Sequence, residues 1–122
     1  ATTILTHGGA WGIHPEGTRS PDGRLYRGRT GAVRVAMDTG APLIPVVITG
    51  TRPGSAVRWW QQRVCIHILE PLELDPYRVE GAAGIRAATD ELMRRISTQT
   101  GQSYVNTYAR EWKSHAEESD AA

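Results

Sequence analysis

Cysteine is scarce in this chain of 122 residues, since Cys65 stands alone. It can form neither an internal disulfide nor a thiolate metal site, and no group of His, Cys and acidic residues has metal-ligand spacing. No apolar run approaches the roughly 18 residues that a transmembrane helix needs. Residues 1–7 lack the basic start and long apolar stretch of a signal peptide. No Ser-His-Asp set or Gly-x-Ser-x-Gly elbow is visible. We therefore expect no metal ion.

Lysine is scarce too, with one residue against thirteen arginines, and the formal net charge is only +1. The positive charge is unevenly placed, because five arginines and a single acid, Asp22, fall between residues 19 and 34. A local cationic island in a nearly neutral chain indicates one anionic ligand rather than a surface that coats nucleic acid. These arginines are Arg19, Arg24, Arg27, Arg29 and Arg34.

The order of apolar and polar residues predicts an α/β fold with at least one crossover connection and one domain over 1–122. Helices are predicted at 1–7, 31–39, 80–100 and 103–118. Short strands are predicted at 10–14, 43–49 and 64–69, with 55–63 ambiguous between strand and loop. The last two strands are apolar throughout, which is typical of strands buried on both faces. Cys65 is accordingly expected to be buried and His67 half-buried, while 117–122 reads as a solvated tail.

The most informative segment is the predicted loop His14-Pro15-Glu16-Gly17-Thr18-Arg19-Ser20. A loop that leaves a strand is where α/β proteins bind ligands. Gly17 allows close approach of the backbone, Thr18 and Ser20 offer hydroxyls, and Arg19 offers a planar fork that matches phosphate oxygens. This composition predicts a phosphomonoester pocket.

Arg29 and Gly31 extend the same site, because Arg29 adds a second cation just before a helix whose N-terminus favours anions. Glu16 would repel a phosphate, so we expect it either to orient Arg19 or to hydrogen-bond a substrate hydroxyl. The alternative without a binding function is a surface loop whose arginines are solvated and only increase solubility.

Three blocks of this region, in order and at matching spacing, resemble the glycerolipid acyltransferase family, the lysophosphatidic acid (1-acylglycerol-3-phosphate) acyltransferases. They are Pro-Glu-Gly-Thr-Arg-Ser from Pro15, Pro-Asp-Gly-Arg-Leu-Tyr-Arg-Gly-Arg-Thr-Gly-Ala from Pro21, and the apolar block 41–51. Arg29 stands where the family commonly has Lys, and His14 where it commonly has an aromatic residue. The resemblance is close from Gly8 to about Thr51 and only general from Ser55 onward.

The resemblance implies a glycerolipid-acyltransferase-like mixed sheet with flanking helices, present as a partial domain. It assigns acceptor binding to Glu16, Gly17, Thr18 and Arg19, with weaker roles for Ser20, Arg29 and Gly31. The implied reaction moves an acyl group from acyl-CoA or acyl carrier protein to lysophosphatidic acid, giving phosphatidic acid in phospholipid synthesis. The implied location is peripheral, on the cytoplasmic face of the membrane, and Trp59-Trp60 reads either as an interfacial anchor or as part of the core.

The family's catalytic His-x-x-x-x-Asp motif, in which His is the general base and Asp orients it, lies upstream of this loop. No such motif precedes Glu16 here. The stretch His115–Asp120 has the spacing, but it follows the loop and lies in a polar tail, so we treat it as a chance match. Together with a first residue that is Ala rather than Met, this predicts a C-terminal part that binds acceptor phosphate and is inactive alone, with no catalytic residue of its own.

Two other functions remain open from the sequence. An arginine-rich binding module would grip nucleic-acid backbone with an affinity that falls steeply with salt, although the Trp residues are not interleaved with the arginines as stacking platforms. A catalytically dead homologue would keep the phosphate loop alone. Among enzymes, a relative that acts on glycerol 3-phosphate or another lysophospholipid is the near alternative.

Overall fold

The computed structural model describes residues 1–51 and 63–111. These ranges contain helices α1 (Thr2–Thr6), α2 (Gly31–Thr39) and α3 (Ala82–Thr100), with a 3-10 turn at Asp75–Glu80. Their strands are β1 (Leu25–Tyr26), β2 (Val46–Thr49), β3 (Cys65–Ile68) and β4 (Tyr104–Val105). Helices and small sheets alternate along the chain, which agrees with the predicted α/β class. No helix in the described ranges is long and apolar enough to span a bilayer.

Helices α2 and α3 form where the apolar spacing predicts them, and each ends at a glycine. Gly40 follows α2 with φ of 70° and Gly101 follows α3 with φ of 71°, a left-handed conformation that glycine adopts without steric cost. The predicted helix at 1–7 is also present, and His7 Nδ1 lies 2.7 Å from the Thr3 carbonyl oxygen at its end.

The core lies between α2, α3 and the segment that precedes the 3-10 turn. Its buried members share helical or alternating spacing and are Val33, Ala36, Leu72, Leu74, Ala88 and Leu92. The Leu72 N–H donates to the Leu43 carbonyl at 2.8 Å, which ties this segment to the start of the β2 region. Burial of these side chains is the main force that holds the helices together.

Strands β2 and β3 pair antiparallel, with Val46 opposite Ile68 and Ile48 opposite Ile66. Strand β2 begins only after Pro45, which has no N–H to donate to the ladder, although its carbonyl accepts a hydrogen bond of 2.9 Å from the Leu69 N–H. The prediction that both faces are buried is wrong: Val47 is 3% exposed, whereas the four paired residues are 52–73% exposed. Alternation along a strand turns Val47 toward the core and its neighbours away from it. We call these four residues the β2–β3 apolar face.

The prediction that Cys65 is buried is wrong, because its side chain is exposed. Strand pairing with Thr49 engages the backbone of Cys65 and does not cover its side chain. His67 is half-buried, as predicted. Of the ambiguous stretch 55–63, only residue 63 is among the described residues, so Trp59-Trp60 lies outside them. The His115–Asp120 match and the tail at 117–122 also lie outside them.

Strands β1 and β4 were not predicted. They pair in parallel, with Leu25 opposite Tyr104 and Tyr26 opposite Val105, inside a stretch predicted as loop and a stretch predicted as helix. The ladder extends through hydrogen bonds from Leu25 N–H to Ser103 O and from Arg27 N–H to Thr107 O, both 3.0 Å. The start of the helix predicted at 103–118 is therefore wrong, because the backbone there is paired with β1.

The strand predicted at residues 10–14 is also wrong, since these residues are irregular and no described strand pairs with them. The described strands form two separate two-stranded sheets rather than one mixed sheet. One of them, β1–β4, contains the predicted crossover, because its parallel strands are joined through α2, the β2–β3 pair and α3.

Gly84 provides a test of how α3 packs on the 3-10 turn. A side chain there would overlap the carbonyl oxygen of Tyr77, so Gly84→Ala should destabilise the fold by about 1–3 kcal/mol although alanine favours helices. The control is Gly31→Ala, where a new methyl group meets nothing within 4 Å. Urea unfolding of both variants measures the difference, and equal stability of the two would contradict this packing.

Candidate functional site

The predicted phosphate loop lies at the mouth of a cavity of about 1050 Å³. Residues from Gly12 to Ser20 line one side, strand β2 lines another, and the C-terminal end of α3 with Gln102 closes a third. The structure therefore brings Glu16, Gly17, Thr18, Arg19 and Ser20 together at one concave surface. His14 lines the same cavity and is exposed.

The loop is held in a tight turn by backbone contacts. Gly17 has φ of 71°, and its N–H donates to the His14 carbonyl at 3.0 Å. The Arg29 N–H donates to the Pro15 carbonyl at 2.7 Å, so the loop is fixed beside the residue that precedes α2. Glycine suits position 17 because other residues rarely adopt this left-handed conformation.

Glu16 has a role that neither sequence interpretation anticipated. Its Oε2 accepts a hydrogen bond of 2.7 Å from the backbone N–H of Tyr26, which is completely buried in β1. Burial raises the pKa of Glu16, while this hydrogen bond and the nearby His14 act in the opposite direction. One carboxylate oxygen thus anchors the loop to β1, and no described residue donates to the other oxygen.

The polar side chains of the loop divide into those engaged in the fold and those available to a ligand. The Ser20 hydroxyl donates to the Arg24 carbonyl at 2.7 Å and accepts from the Gly23 N–H at 2.9 Å, so it closes the following turn. Thr18 is half-buried and Arg19 is exposed. Arg19 makes no ion pair with any residue of 1–51 or 63–111, whereas five other arginines there pair with carboxylates.

Asp22 stabilises the turn beside the loop. Burial would raise its pKa, but hydrogen bonds from the backbone and guanidinium of Arg24 and from the Tyr26 hydroxyl outweigh it and lower the pKa to about 2. The Arg24 Nε lies 2.6 Å and the Tyr26 hydroxyl 3.0 Å from Asp22 Oδ2. Asp22 therefore neutralises Arg24, and its carboxylate is not available to pair with the other four arginines between residues 19 and 34.

Arg29 borders the loop but does not line the cavity. Its Cδ and Nε lie 2.9 and 3.0 Å from the point where a side chain at Gly17 would begin, so the arginine passes directly across the glycine. Its guanidinium carbon lies 5.0 Å from the centre of the Tyr108 ring. Gly31 is the exposed first residue of α2, and the preceding Thr30 makes no side-chain capping bond.

A second, largely apolar cavity of about 810 Å³ adjoins the first and shares residues such as Ile13, Val46 and Ile96 with it. Its other apolar walls come from α1, the segment before β2, and α3. Examples are Leu5, Trp11, Leu43 and Leu92. Both cavities are lined more by apolar than by polar surface, and the first also contains the exposed Arg19.

Three contributors to this region escaped the sequence interpretation. The Tyr26 N–H donates to Glu16, Gln102 Nε2 donates to the Gly23 carbonyl at 2.7 Å, and the Tyr108 ring stacks with Arg29. Gln102 and Tyr108 come from the C-terminal segment, brought close by the β1–β4 pair. No local pattern in the sequence marks them, because the contacts join residues about 80 positions apart.

Comparison with known proteins identifies the family to which the chain is similar. Residues 1–49 match the family model described as Acyltransferase. The 1-acyl-sn-glycerol-3-phosphate acyltransferase of Haemophilus influenzae is 32% identical over 84 residues, which is 68% of this chain and 35% of that protein. The enzyme of the same name from Cocos nucifera is 32% identical over 71 residues, covering 56% of this chain and 23% of its own length.

The chloroplastic 1-acyl-sn-glycerol-3-phosphate acyltransferase of Arabidopsis thaliana is 44% identical over 48 residues, covering 39% of this chain and 14% of its own. No solved structure matches the chain significantly. The chain belongs to the glycerolipid acyltransferase family, and it spans about a third or less of the length of these curated relatives.

Gly17 tests the geometry of the loop. Gly17→Ala places a side chain at a left-handed residue and against Arg29, so it should cost about 1–2 kcal/mol of stability and displace the Arg29 side chain. The control is Gly12→Ala in the same cavity wall, where nothing lies within 4 Å of the new atom. Urea unfolding and the Arg Nε–H NMR signals measure both effects, and an unperturbed Gly17→Ala variant would overturn this loop conformation.

The lowered pKa of Asp22 predicts how the free energy of unfolding depends on pH. Its pKa is lowered from 3.8 to about 2 on folding, so its stabilising contribution is complete above about pH 4 and is lost as pH falls toward 2. The free-energy difference between the wild type and Asp22→Asn should shrink over that window. Urea unfolding across a pH series checks this, and a difference that stays constant from pH 5 to about pH 2 contradicts it.

Proposed function

We propose that the protein carries the acceptor-binding site of a 1-acylglycerol-3-phosphate O-acyltransferase. In this proposal the loop from Glu16 to Ser20, with Arg29 and Gly31 nearby, binds the phosphate and glycerol of lysophosphatidic acid. The reaction transfers an acyl group from acyl-CoA or acyl carrier protein and gives phosphatidic acid. The names of the matched relatives support the acceptor.

The observation that carries the proposal is Arg19, exposed at a concave loop and without a carboxylate partner in the described ranges. A planar guanidinium can hold two phosphate oxygens at once, and each charge-assisted hydrogen bond contributes about 1.5–3 kcal/mol. The Thr18 hydroxyl supplies a neutral donor beside it, on the turn that Gly17 forms. The combination favours a compact dianion such as a phosphomonoester.

Glu16 fits the glycerol part of such an acceptor. One of its oxygens is occupied by the Tyr26 N–H, and the other faces no described donor. A carboxylate oxygen accepts a hydrogen bond from an alcohol and repels a phosphate, so it would select the glycerol hydroxyl for that position. Glu16 in this reading both anchors the loop and orients the acceptor.

The apolar cavity beside the loop fits the acyl chain of a lysophospholipid. Ile13, Val46 and Ile96 line both cavities, so the apolar cavity lies beside the position where a lysophospholipid tail would leave a phosphate bound at the loop. Each buried methylene would contribute about 0.8 kcal/mol.

The remaining features of the proposal follow from its lipid substrate and from the family. We place the protein at the cytoplasmic face of the membrane as a peripheral protein, and we take residues 1–122 as part of one domain of the family's mixed-sheet type. Acyl-CoA or acyl carrier protein acts as a substrate, so no resident cofactor is required. The catalytic base is not assigned to any residue of this chain.

Arg19→Ala tests the acceptor site. Loss of the bidentate contact should weaken binding of a short-chain lysophosphatidic acid by about 10- to 100-fold, measured by calorimetry below its critical micelle concentration. Arg34→Ala is the matched control, because it removes an equal charge from the exposed side of α2, outside both cavity walls. Its binding should change less than threefold.

Two ligands complete this test. A monoacylglycerol of equal chain length lacks the phosphate and should bind at least tenfold more weakly than the lysophosphatidic acid. A single-stranded oligonucleotide tests the nucleic-acid alternative, whose affinity would fall steeply with salt and would respond equally to Arg19→Ala and Arg34→Ala. Binding of the oligonucleotide in preference to the lipid would reject the acyltransferase proposal.

A further inference from the structure

Tyr108 lies outside the residues matched by the family model, yet its ring contacts Arg29, one of the residues predicted to bind the phosphate. The guanidinium carbons of Arg29 and Arg27 lie 5.0 and 5.4 Å from the centre of its ring. Both distances are within the range of a cation–π interaction. We call these three residues the Tyr108 clamp.

The backbone fixes the ring in this position. Strand β4 pairs with β1, and the ladder continues with the hydrogen bond from Arg27 N–H to the Thr107 carbonyl at 3.0 Å. Ala109, the next residue after Tyr108, is 1% exposed. Tyr108 is therefore held between a paired residue and a buried one, so its ring can act as a rigid support.

The clamp holds charge that the described fold leaves unneutralised. Neither Arg27 nor Arg29 makes an ion pair in residues 1–51 and 63–111, and the buried Arg27 Nε lacks a hydrogen-bond partner there. Two guanidinium groups that share one ring repel each other, and burial of an unpaired polar group is costly. An anion at the adjacent loop, which the Arg29 side chain crosses, would relieve the repulsion.

Arg29 connects the clamp to the loop. Its Cδ and Nε pass within about 3 Å of the side-chain position of Gly17, while its guanidinium rests against Tyr108. A long side chain held at both points loses little conformational entropy when it binds, which increases affinity. Without the ring, Arg29 would be free to extend into solvent.

We propose that Tyr108 is a positioning residue for the acceptor phosphate, acting through Arg29 and Arg27. This inference rests on the proposed function and deepens it, because it assigns part of the phosphate site to the C-terminal segment. Tyr108 contributes its ring face and needs no contact with the substrate.

The test compares Tyr108→Leu with Tyr108→Phe in the full chain, with glycerol 3-phosphate as the probe. Tyr108→Leu removes the ring and should weaken binding about three- to tenfold, whereas Tyr108→Phe restores the ring and should rescue binding to within twofold of wild type. Tyr77→Leu in the 3-10 turn is the control, since Tyr77 stacks with neither arginine in the described structure and lines neither cavity.

A second readout reports the clamp without any ligand. Ring currents should shift the Arg27 and Arg29 Nε–H resonances upfield in the wild type and in Tyr108→Phe, and this shift should disappear in Tyr108→Leu. Thermal unfolding of each variant identifies a loss of binding that comes only from a loss of the fold.

The outcomes separate this inference from the proposed function. If the wild type binds glycerol 3-phosphate and Tyr108→Leu binds equally well after losing the upfield shift, Tyr108 does not position the site and the inference fails. If Tyr108→Leu binds more tightly, the ring sequesters Arg29 and the inference is reversed. If the wild type binds no phosphomonoester while the upfield shift is present, the proposed function fails together with the role assigned to Tyr108, although the clamp itself exists.

Discussion

The hydrogen bond from the Tyr26 N–H to Glu16 is the contact on which the site depends. It joins a completely buried residue of β1 to the loop that lines the cavity, at 2.7 Å. Because β1 also pairs with β4, the same short strand positions Glu16 on one side and Tyr108 on the other. A two-residue strand thereby links the phosphate loop to a segment about 80 residues later in the chain.

Charge distribution follows from the same arrangement. Asp22 is the only acid within the arginine island, and its carboxylate is committed to Arg24 and Tyr26. The island is therefore divided into Arg24, which is neutralised and builds the turn, and arginines that pair with no carboxylate in the described ranges. Sequence alone gives the island's total charge, but only the fold assigns each cation to one of these parts.

Local patterns predicted the parts of the fold that local forces determine. The apolar spacing of Val33 and Ala36 and the glycine at 40 were sufficient for α2, and the loop from Glu16 to Ser20 was recognised by its composition. Strands β1 and β4 could not be found in this way, since two residues have no measurable periodicity and their pairing is a long-range contact. The exposure of Cys65 was missed because an apolar strand reads the same whether one face or both are covered.

The β2–β3 apolar face has a practical consequence for the protein in solution. Four β-branched side chains stand next to one another on a short antiparallel pair, more than half exposed. Surfaces of this kind favour association between molecules, and a net charge of only +1 provides little repulsion to oppose it. We therefore expect self-association through this face, rather than unfolding, to limit the solubility of the protein. Self-association should weaken at pH values that raise the net charge.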